Sequence, residues 1–258
     1  MPLRSCAAAS ARPGVVMAAD EGFDPWFTDH DHRFHAAYLT DERADFDAAD
    51  LLGHLALPST ARVIDAGCGD GRMAVRLAAL GMDVVAVDAD PSQIDRCRDV
   101  ASRRGVELEL IAERLENLEL EAPADGAFLW FNTFGTLDDE GNAGVLVALR
   151  RSLVAGAPLL IDTHRRAAVI AALDGAEAVV EEVGGWTQVD ELTFDQASDR
   201  LVIHRRVASG DQVLVNRTIR HWLPDPSMWP AILEAARFEL VELLERGDDG
   251  LLVRAIAR

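Results

Sequence analysis

The stretch Val63–Arg72, "VIDAGCGDGR", carries three glycines at alternate positions directly after a short apolar run. Glycine loses more backbone entropy on folding than any other residue, so this density indicates a turn that a ligand approaches closely. The run Arg62–Ala66 predicts a buried strand, and "RMAVRLAAL" after the turn predicts a helix. Amide groups at the start of that helix favour electron-rich ligand atoms.

Two aspartates narrow the ligand class. Asp88 ends the second strand, 21 residues after Gly67, where its carboxylate is placed to accept hydrogen bonds from both ribose hydroxyls. The spacing Gly67-x-Gly69-x-Gly71 differs from the G-x-G-x-x-G of dinucleotide sites. An anionic Asp65 disfavours a pyrophosphate and suits the cationic amino and sulfonium groups of S-adenosylmethionine. The pattern therefore favours S-adenosylmethionine over NAD.

The segment "VIDAGCGDGRMAVRLAALGMDVVAVDADPSQIDRCR" resembles the first two motifs of class I S-adenosylmethionine-dependent methyltransferases. The resemblance extends from about residue 41 to the C-terminus and is weakest in a β-rich segment near residue 200. It implies a seven-stranded sheet whose last strand, "GLLVRAIA", runs antiparallel to the rest. It also implies that Asp65, Gly67 and Gly69 line the methionine moiety and that Asp88 binds the ribose. Cys68 lies in the same cofactor-binding turn, where its side chain is expected to pack.

The same resemblance assigns an adenine site after the third predicted strand, within "LELIAERLENL". Glu113 occupies the place where relatives more often have Asp, and it would contact the adenine amino group. Leu115 would pack on the adenine ring. A solvated helix start is an equal alternative for Glu113, so the two interpretations stay open.

Strand and helix patterns alternate along most of the chain. The apolar segments "ARVIDA", "DVVAV", "VELELI", "GAFLWF" and "APLLID" are separated by helical patterns at about 71–80, 92–104 and 139–154. This predicts an α/β fold, namely a doubly wound, mostly parallel seven-stranded Rossmann-like sheet. From about residue 175 the apolar period becomes two, which predicts a small antiparallel β insertion of one hairpin or three strands.

The expected domain organisation follows from these patterns. It comprises a flexible leader (1–20), an N-terminal helical cap (21–60), a cofactor-binding Rossmann-like domain (61–174 and 224–258) and an antiparallel β insertion or lid (175–223). Whether translation starts at Met1 or Met17 stays open.

Composition limits the partners. The chain has 258 residues, is 49% apolar and carries a net charge of −19, from 44 acidic and 25 basic residues. This charge disfavours nucleic acid and anionic membranes and leaves a small-molecule substrate, while a homodimer or a partner subunit stays open. Three cysteines without metal-type spacing indicate a reducing compartment, and no apolar run is long enough to span a bilayer, so we expect a cytoplasmic protein.

Catalytic side chains are expected at the carboxyl ends of the fourth and fifth strands. His164, in "LLIDTHRR", is the first candidate for a general base, and Asp162 ends the same strand. Asn132, at the end of the fourth strand, either orients a substrate or caps a turn. His221, in "TIRHWLP", is the second candidate base.

Substrate contacts are expected from two further segments. Arg220 would clamp a substrate carboxylate or phosphate. Relatives often have Arg followed by an aromatic residue here, which matches Arg220 and Trp222, although His221 points to the opposite face of the same strand. The aromatic-rich segment "FDPWFTDHDHRFHAAYLTDER" is expected to cover the site, with Tyr38 as a substrate contact. Its histidines lack a further ligand at clear spacing, so no metal site is predicted.

The sequence thus predicts an enzyme that transfers a methyl group from S-adenosylmethionine to a small molecule, in secondary metabolism. One alternative keeps the fold and the small-molecule substrate but catalyses a non-methylating displacement, cyclisation or elimination. The other is a non-catalytic binding partner.

Overall fold

The computed structural model describes residues 29–36, 38–173 and 178–258. The predicted leader, both candidate start methionines and the beginning of the predicted cap lie outside the described residues. The helices are α1 (Asp29–His35), α2 (Asp41–Leu55), α3 (Ala74–Ala79), α4 (Pro91–Arg104), α5 (Asp139–Arg151), α6 (Arg166–Ala172) and α7 (Trp229–Ala235), with short 3-10 turns at Leu115–Asn117 and Pro226–Met228. Within these ranges no helix has both the length and the apolar character needed to cross a bilayer.

The strands form two sheets. The first contains β1 (Arg62–Ala66), β2 (Asp83–Asp88), β3 (Glu109–Ala112), β4 (Gly126–Leu129), β5 (Pro158–His164), β10 (Phe238–Arg246) and β11 (Gly250–Ala257). The second contains β6 (Val179–Val183), β7 (Trp186–Asp195), β8 (Arg200–Ser209) and β9 (Gln212–Trp222).

The first sheet has the order β10-β11-β5-β4-β1-β2-β3. The five strands from β1 to β5 are parallel to one another, and β11 runs antiparallel to both of its neighbours, as the resemblance implied. The chain moves outward from β1 to β3 and then returns to β4 on the other side of β1. The topological switch point therefore lies between β1 and β4, where open parallel sheets bind ligands.

Both faces of this sheet are covered. Successive residues of β1 point to opposite faces: Ile64 joins the apolar cluster beneath α5 and α7, and Val63 joins the cluster beneath α2, α3 and α4. Both side chains are fully buried. Burial on two faces explains why the parallel strands are continuous apolar runs rather than alternating ones.

The second sheet is antiparallel throughout and has four strands, one more than the largest sheet that the sequence pattern predicted. The additional strand is β6, whose sequence "VVEEV" has no clear period of two. The N–H of Trp222, at the end of β9, donates to the carbonyl oxygen of Gly135 at 2.8 Å, which joins this sheet to the loop after β4. The predicted fold class is confirmed.

A buried ion-pair cluster joins α1 to the second sheet. Asp31 is 1% exposed and pairs with Arg205 of β8 and with Arg217 of β9, the latter at 2.8 Å. Arg205 also pairs with Asp190 of β7 at 2.7 Å. Removing one member of such a cluster leaves a buried charge uncompensated, so these contacts fix α1 against the sheet.

Two element boundaries differ from the sequence expectation. The fourth strand ends at Leu129, before the predicted "WF", because Phe131 and Asn132 have φ angles of 59° and 61° and leave the extended conformation. The first helix after β1 begins at Ala74 rather than near residue 71. Glycines with positive φ continue to Gly71, so the turn is longer than expected.

Candidate functional site

A cavity of about 990 Å³ lies beyond the carboxyl ends of β1, β2 and β4. The glycine turn forms its floor, the segment Leu129–Leu137 forms one wall, and α1 contributes His32 and His35 to the cover. Ligand sites of small molecules have volumes of roughly 300–1,000 Å³. The cavity therefore has room for a nucleoside cofactor together with a small acceptor.

The glycine turn is fixed to β2 through its backbone. The N–H groups of Gly67 and Cys68 both donate to the carbonyl oxygen of Val87, at 2.8 and 2.9 Å. Gly67 has a φ of +79°, and a Cβ at this position would overlap the Cγ2 of Thr133. A Cβ on Gly69, by contrast, would meet no atom within 4 Å. Gly67 is thus required for packing, whereas Gly69 leaves open space on the cavity side.

Asp65 is a buried carboxylate beside this turn. It is 2% exposed, lines the cavity, and its Oδ2 has no hydrogen-bond partner among the described residues. Burial raises the pKa of Asp65 to about 7. The backbone N–H of Ala74 hydrogen-bonds this carboxylate, but the unsatisfied Oδ2 is costly to bury, so a cationic ligand group beside it would be favoured. The amino group of S-adenosylmethionine fits this requirement.

Asp88 ends β2 at the same cavity. Its Oδ2 accepts the N–H of Gly69 at 2.9 Å, and its Oδ1 accepts the N–H of Asp90 at 2.9 Å. Burial raises the pKa of Asp88 above the usual range. A carboxylate oxygen has two acceptor sites, so both oxygens keep capacity for ribose hydroxyl groups.

The predicted adenine residues separate in the structure. Leu115 lines the cavity, together with Arg114 and Glu116. Glu113 lies outside the lining, and its Oε1 accepts the N–H of Arg114 at 2.8 Å and the side-chain amide of Asn117 at 3.4 Å. The contacts of Glu113 are thus local, and its role at the adenine stays a prediction.

Cys68 lines the cavity but is buried against Cys97 of α4. A hydrogen bond with Cys97, together with burial, raises the pKa of the Cys68 thiol well above its ordinary value. Because the thiolate is the reactive form, a raised pKa disfavours reaction at this thiol, and the burial agrees with the packing role expected from the sequence.

The structure places none of the four predicted catalytic residues in the cavity lining. His164 and His221 lie together where β5 meets β9, with ring centroids 6.2 Å apart. The Nδ1 of His164 is 3.6 Å from Asp249, and the Nε2 of His221 is 2.6 Å from the carbonyl oxygen of Phe134. Burial lowers the pKa of both histidines, that of His221 to about 4. Their catalytic roles stay predictions.

Asp162 and Asn132 lie behind the cavity wall. Asp162 accepts the N–H of Phe131 at 2.9 Å and pairs with Arg246 at 2.7 Å, and burial raises its pKa. The N–H of Asn132 donates to the carbonyl oxygen of Asp162 at 3.2 Å, and its Oδ1 is buried without a hydrogen-bond partner in the described part of the chain.

The predicted substrate contacts lie around the cavity rather than in its lining. Tyr38 is 45% exposed, with its ring 5.0 Å from that of His35. The ring of Trp222 packs on that of Phe134, with centroids 6.1 Å apart. Arg220 lines a second, more open cleft of about 500 Å³ that shares Thr136 and Leu137 with the main cavity.

Two cavity residues were not assigned a catalytic or substrate role from the sequence. His35 lines the cavity, its Nδ1 lies 2.6 Å from the carbonyl oxygen of Asp31, and burial lowers its pKa. Phe131 lines the cavity while 37% exposed. The "HDHRFH" spacing locates the histidines on one helix but not the cavity that they cover. No group of three potential metal ligands occurs in the described ranges.

Comparison with known proteins finds a methyltransferase domain within this chain. Residues 63–156 match a family model described as a methyltransferase domain. The crystal structure of an S-adenosylmethionine-dependent methyltransferase from Clostridium acetobutylicum ATCC 824 superposes with a TM-score of 0.72 at 12% identity, covering 88% of this chain and 95% of that one. At this identity the likeness concerns the fold.

Two curated relatives match parts of the sequence. An S-adenosyl-L-methionine-dependent Diels-Alderase, iccD, from Talaromyces variabilis is 37% identical over 83 residues, 30% of this chain and 28% of that protein. A ubiquinone biosynthesis O-methyltransferase from Xanthomonas campestris pv. campestris is 28% identical over 182 residues, 63% of this chain and 73% of that protein. The chain spans less than a third of the first relatives that it matches.

Residues 63–156 thus match a methyltransferase domain, and the fold of the chain is that of S-adenosylmethionine-dependent methyltransferase structures. The predicted Rossmann-like fold is confirmed, and the domain match agrees with the predicted enzyme class and cofactor.

Proposed function

We propose that the chain transfers a methyl group from S-adenosylmethionine to a small-molecule acceptor. The observation that carries the proposal is the buried carboxylate of Asp65, whose Oδ2 has no partner among the described residues and which lines a cavity of about 990 Å³. When bound, the cofactor supplies an electrophilic methyl group on a sulfonium that is itself the leaving group. The protein's task is then to hold the acceptor in line and to accept its proton where one is released.

The chain's own residues divide the binding work. Asp65 offers its carboxylate to the ammonium of the methionine moiety, and Asp88 offers its own to the ribose. The open space at Gly69 allows the ligand to approach the backbone, and Leu115 supplies an apolar surface for the adenine. These four contacts would orient the reactive end of the cofactor towards the wall formed by Leu129–Leu137.

His35 is the histidine that we propose to receive the acceptor's proton. A carbonyl oxygen only accepts, so the contact with Asp31 places the proton on Nδ1 and the lone pair on Nε2. Burial lowers the pKa of His35, which keeps the ring neutral, and therefore basic, at pH 7. Activity should then fall only at a pH below the ordinary titration range of an imidazole, because protonation removes the lone pair.

The charges around the cavity support a small acceptor rather than a polyanion. Three of the arginines that line it are paired with acidic residues: Arg72 with Asp47 at 2.7 Å, Arg76 with Asp45 at 2.6 Å, and Arg104 with Asp41 at 2.7 Å. Nucleic-acid sites instead present clustered basic side chains to the phosphates.

Calorimetry with S-adenosylhomocysteine tests the cofactor site. We expect saturable binding to the wild type, and a loss of at least about tenfold in affinity for Asp88→Ala and Asp65→Asn, since each removes a charge-assisted hydrogen bond. Asp195→Asn, at the exposed end of β7, is the matched control and should bind like wild type. Absence of binding at millimolar ligand would contradict the proposal.

The Diels-Alderase relative favours a second candidate, a cyclisation in the same cavity without methyl transfer. The two reactions differ in their products. Methyl transfer consumes the cofactor and releases S-adenosylhomocysteine in equal amount, whereas a cyclisation leaves the cofactor intact and the substrate's mass unchanged. Mass spectrometry of both products distinguishes them, and turnover without S-adenosylhomocysteine would favour cyclisation. A non-catalytic binding partner would bind the cofactor and show neither product.

A further inference from the structure

The turn after β4 has an unusual backbone. Phe131 and Asn132 are consecutive non-glycine residues with φ angles of 59° and 61°. This left-handed region is uncommon for any residue with a Cβ, and a bulky aromatic residue there is a genuine outlier. Strained backbone of this kind clusters at ligand-binding and active sites, where the surrounding structure holds it in place.

Asp162 holds this turn in place. Its Oδ2 accepts the N–H of Phe131 at 2.9 Å, and its Oδ1 binds the guanidinium of Arg246 at 2.7 Å. Arg246 in turn pairs with Asp50 of α2 and lies 4.6 Å from the ring centroid of Trp130. The carboxylate is therefore locked in position by α2, β4, β5 and β10.

The result is an aromatic ring in the lining of the cavity. Phe131 lines the cavity while 37% of its surface is exposed. Its ring contacts that of His35, on the covering helix, with centroids 6.0 Å apart and planes at 81°. Both rings line the same cavity, and they form two walls at almost a right angle.

We propose that Phe131 is a specificity-determining residue that selects a planar aromatic acceptor, and that Asp162 is its positioning residue. A flat ring stacked on one of the two perpendicular rings meets the other edge-on, and both arrangements are favoured for aromatic pairs. A saturated ring of the same size has no π-system to make either contact. The inference rests on the proposed function, because it concerns the acceptor half of that cavity.

A pair of matched probes tests the selectivity. With the protein saturated by S-adenosylhomocysteine, calorimetry compares 1-naphthol with decahydro-1-naphthol, which has the same carbon skeleton and hydroxyl group. We expect wild type to bind 1-naphthol about tenfold more tightly, although the saturated probe is the more hydrophobic. Phe131→Leu should reduce this ratio to about twofold or less and leave S-adenosylhomocysteine affinity unchanged. Phe46→Leu, at a ring 67% exposed on α2, is the control and should keep the wild-type ratio.

The positioning role has its own readout. Asp162→Ala should lower the probe ratio as Phe131→Leu does, although the phenyl ring is still present. Asp162→Asn should retain most of the ratio, because its amide oxygen can still accept the N–H of Phe131. If Asp162 had only a structural role, Asp162→Ala would lower the stability of the protein without changing the affinity ratio of the two probes. If Asp162→Ala does not fold, the ratios measured for Asp162→Asn and Phe131→Leu test the inference.

Three results would overturn the inference. These are equal affinities of wild type for the two probes, an unchanged ratio in Phe131→Leu, and no binding of either probe. In each case S-adenosylhomocysteine binding, measured in the same titrations, reports separately on the proposed function.

Discussion

Two adjacent turns, after β1 and after β4, solve the same backbone problem with different residues. Both need left-handed conformations at the carboxyl end of a central strand. The turn after β1 uses Gly67, Gly69 and Gly71. The turn after β4 uses Phe131 and Asn132, at a cost on the order of 1–2 kcal/mol per residue. The difference teaches that the first turn is built to admit a ligand to the backbone, whereas the second is built to present a side chain.

The buried carboxylates beside the two turns differ in the same way. Asp65 keeps one oxygen without a hydrogen-bond partner in the described ranges. Asp162 has both oxygens engaged, one by backbone and one by Arg246. The first carboxylate is available for a ligand, and the second maintains the structure of the turn.

Among the variants that test this comparison, Gly67→Ala should cause the largest loss in the free energy of unfolding. Its Cβ would overlap Thr133 of the second turn, and its φ of +79° is unfavourable for alanine, so we expect a loss of about 3–4 kcal/mol in the free energy of unfolding. Gly69→Ala, with open space around it, should lose only about 1 kcal/mol. Urea unfolding measures both, and Gly67→Ala/Thr133→Ser should recover part of the loss. Equal losses in the two single variants would show that the turns do not interlock.

Asp162→Ala should cause the second-largest loss in the free energy of unfolding. It leaves the guanidinium of Arg246 and the N–H of Phe131 without their common partner, which predicts a loss of about 2–3 kcal/mol in the free energy of unfolding. Asp195→Ala, at the exposed end of β7, removes a carboxylate that accepts the N–H of Ala197 and the hydroxyl of Ser198, and should lose less than about 1 kcal/mol. If the two variants are equally stable in urea, Asp162 does not hold the turn.

The pH dependence of cofactor binding should sharpen the contrast between the carboxylates. Burial raises the pKa of Asp65 to about 7, and a bound ammonium favours the ionised form. Binding therefore weakens as the pH decreases through 7, by about tenfold between pH 8 and pH 6. Calorimetry with S-adenosylhomocysteine at several pH values should show this slope in wild type and a flatter one in Asp65→Asn. The same slope in both proteins would remove Asp65 from the ammonium site.

Asn132→Gly should have the smallest effect and the opposite sign. Glycine adopts a φ of 61° without strain, and the substitution also removes a buried amide oxygen that has no hydrogen-bond partner among the described residues. We expect a gain of about 0.5–1 kcal/mol and a higher melting temperature. Asn132→Ala keeps the strain and is the control. A destabilised glycine variant would mean that the asparagine side chain has a role at this turn.

The cofactor half of the candidate site could be predicted because glycine and aspartate residues at fixed positions indicate the backbone conformation and the charge of this part of the cavity. Alternate glycines and an aspartate at the end of β2 specify a conformation and a charge that few other folds need. The other half of the cavity could not be predicted in this way, because no sequence pattern indicates that Phe131 has a positive φ. His164 and Asp162 do end β5 as expected, but neighbouring strands engage them away from the cavity. His35 reaches the cavity only because Asp31 is bound by strands about 170 residues later, a contact that no local pattern can reveal.

The ion-pair cluster around Asp31 has a consequence for protein engineering. Helix α1, which contributes His32 and His35 to the cavity lining, is joined to the antiparallel sheet by these buried charges, so the two form one unit built from distant parts of the chain. A chimera that exchanges only residues 179–222 would leave Asp31 without its two guanidinium partners. Exchanging the sheet between related chains therefore requires the transfer of α1 together with it.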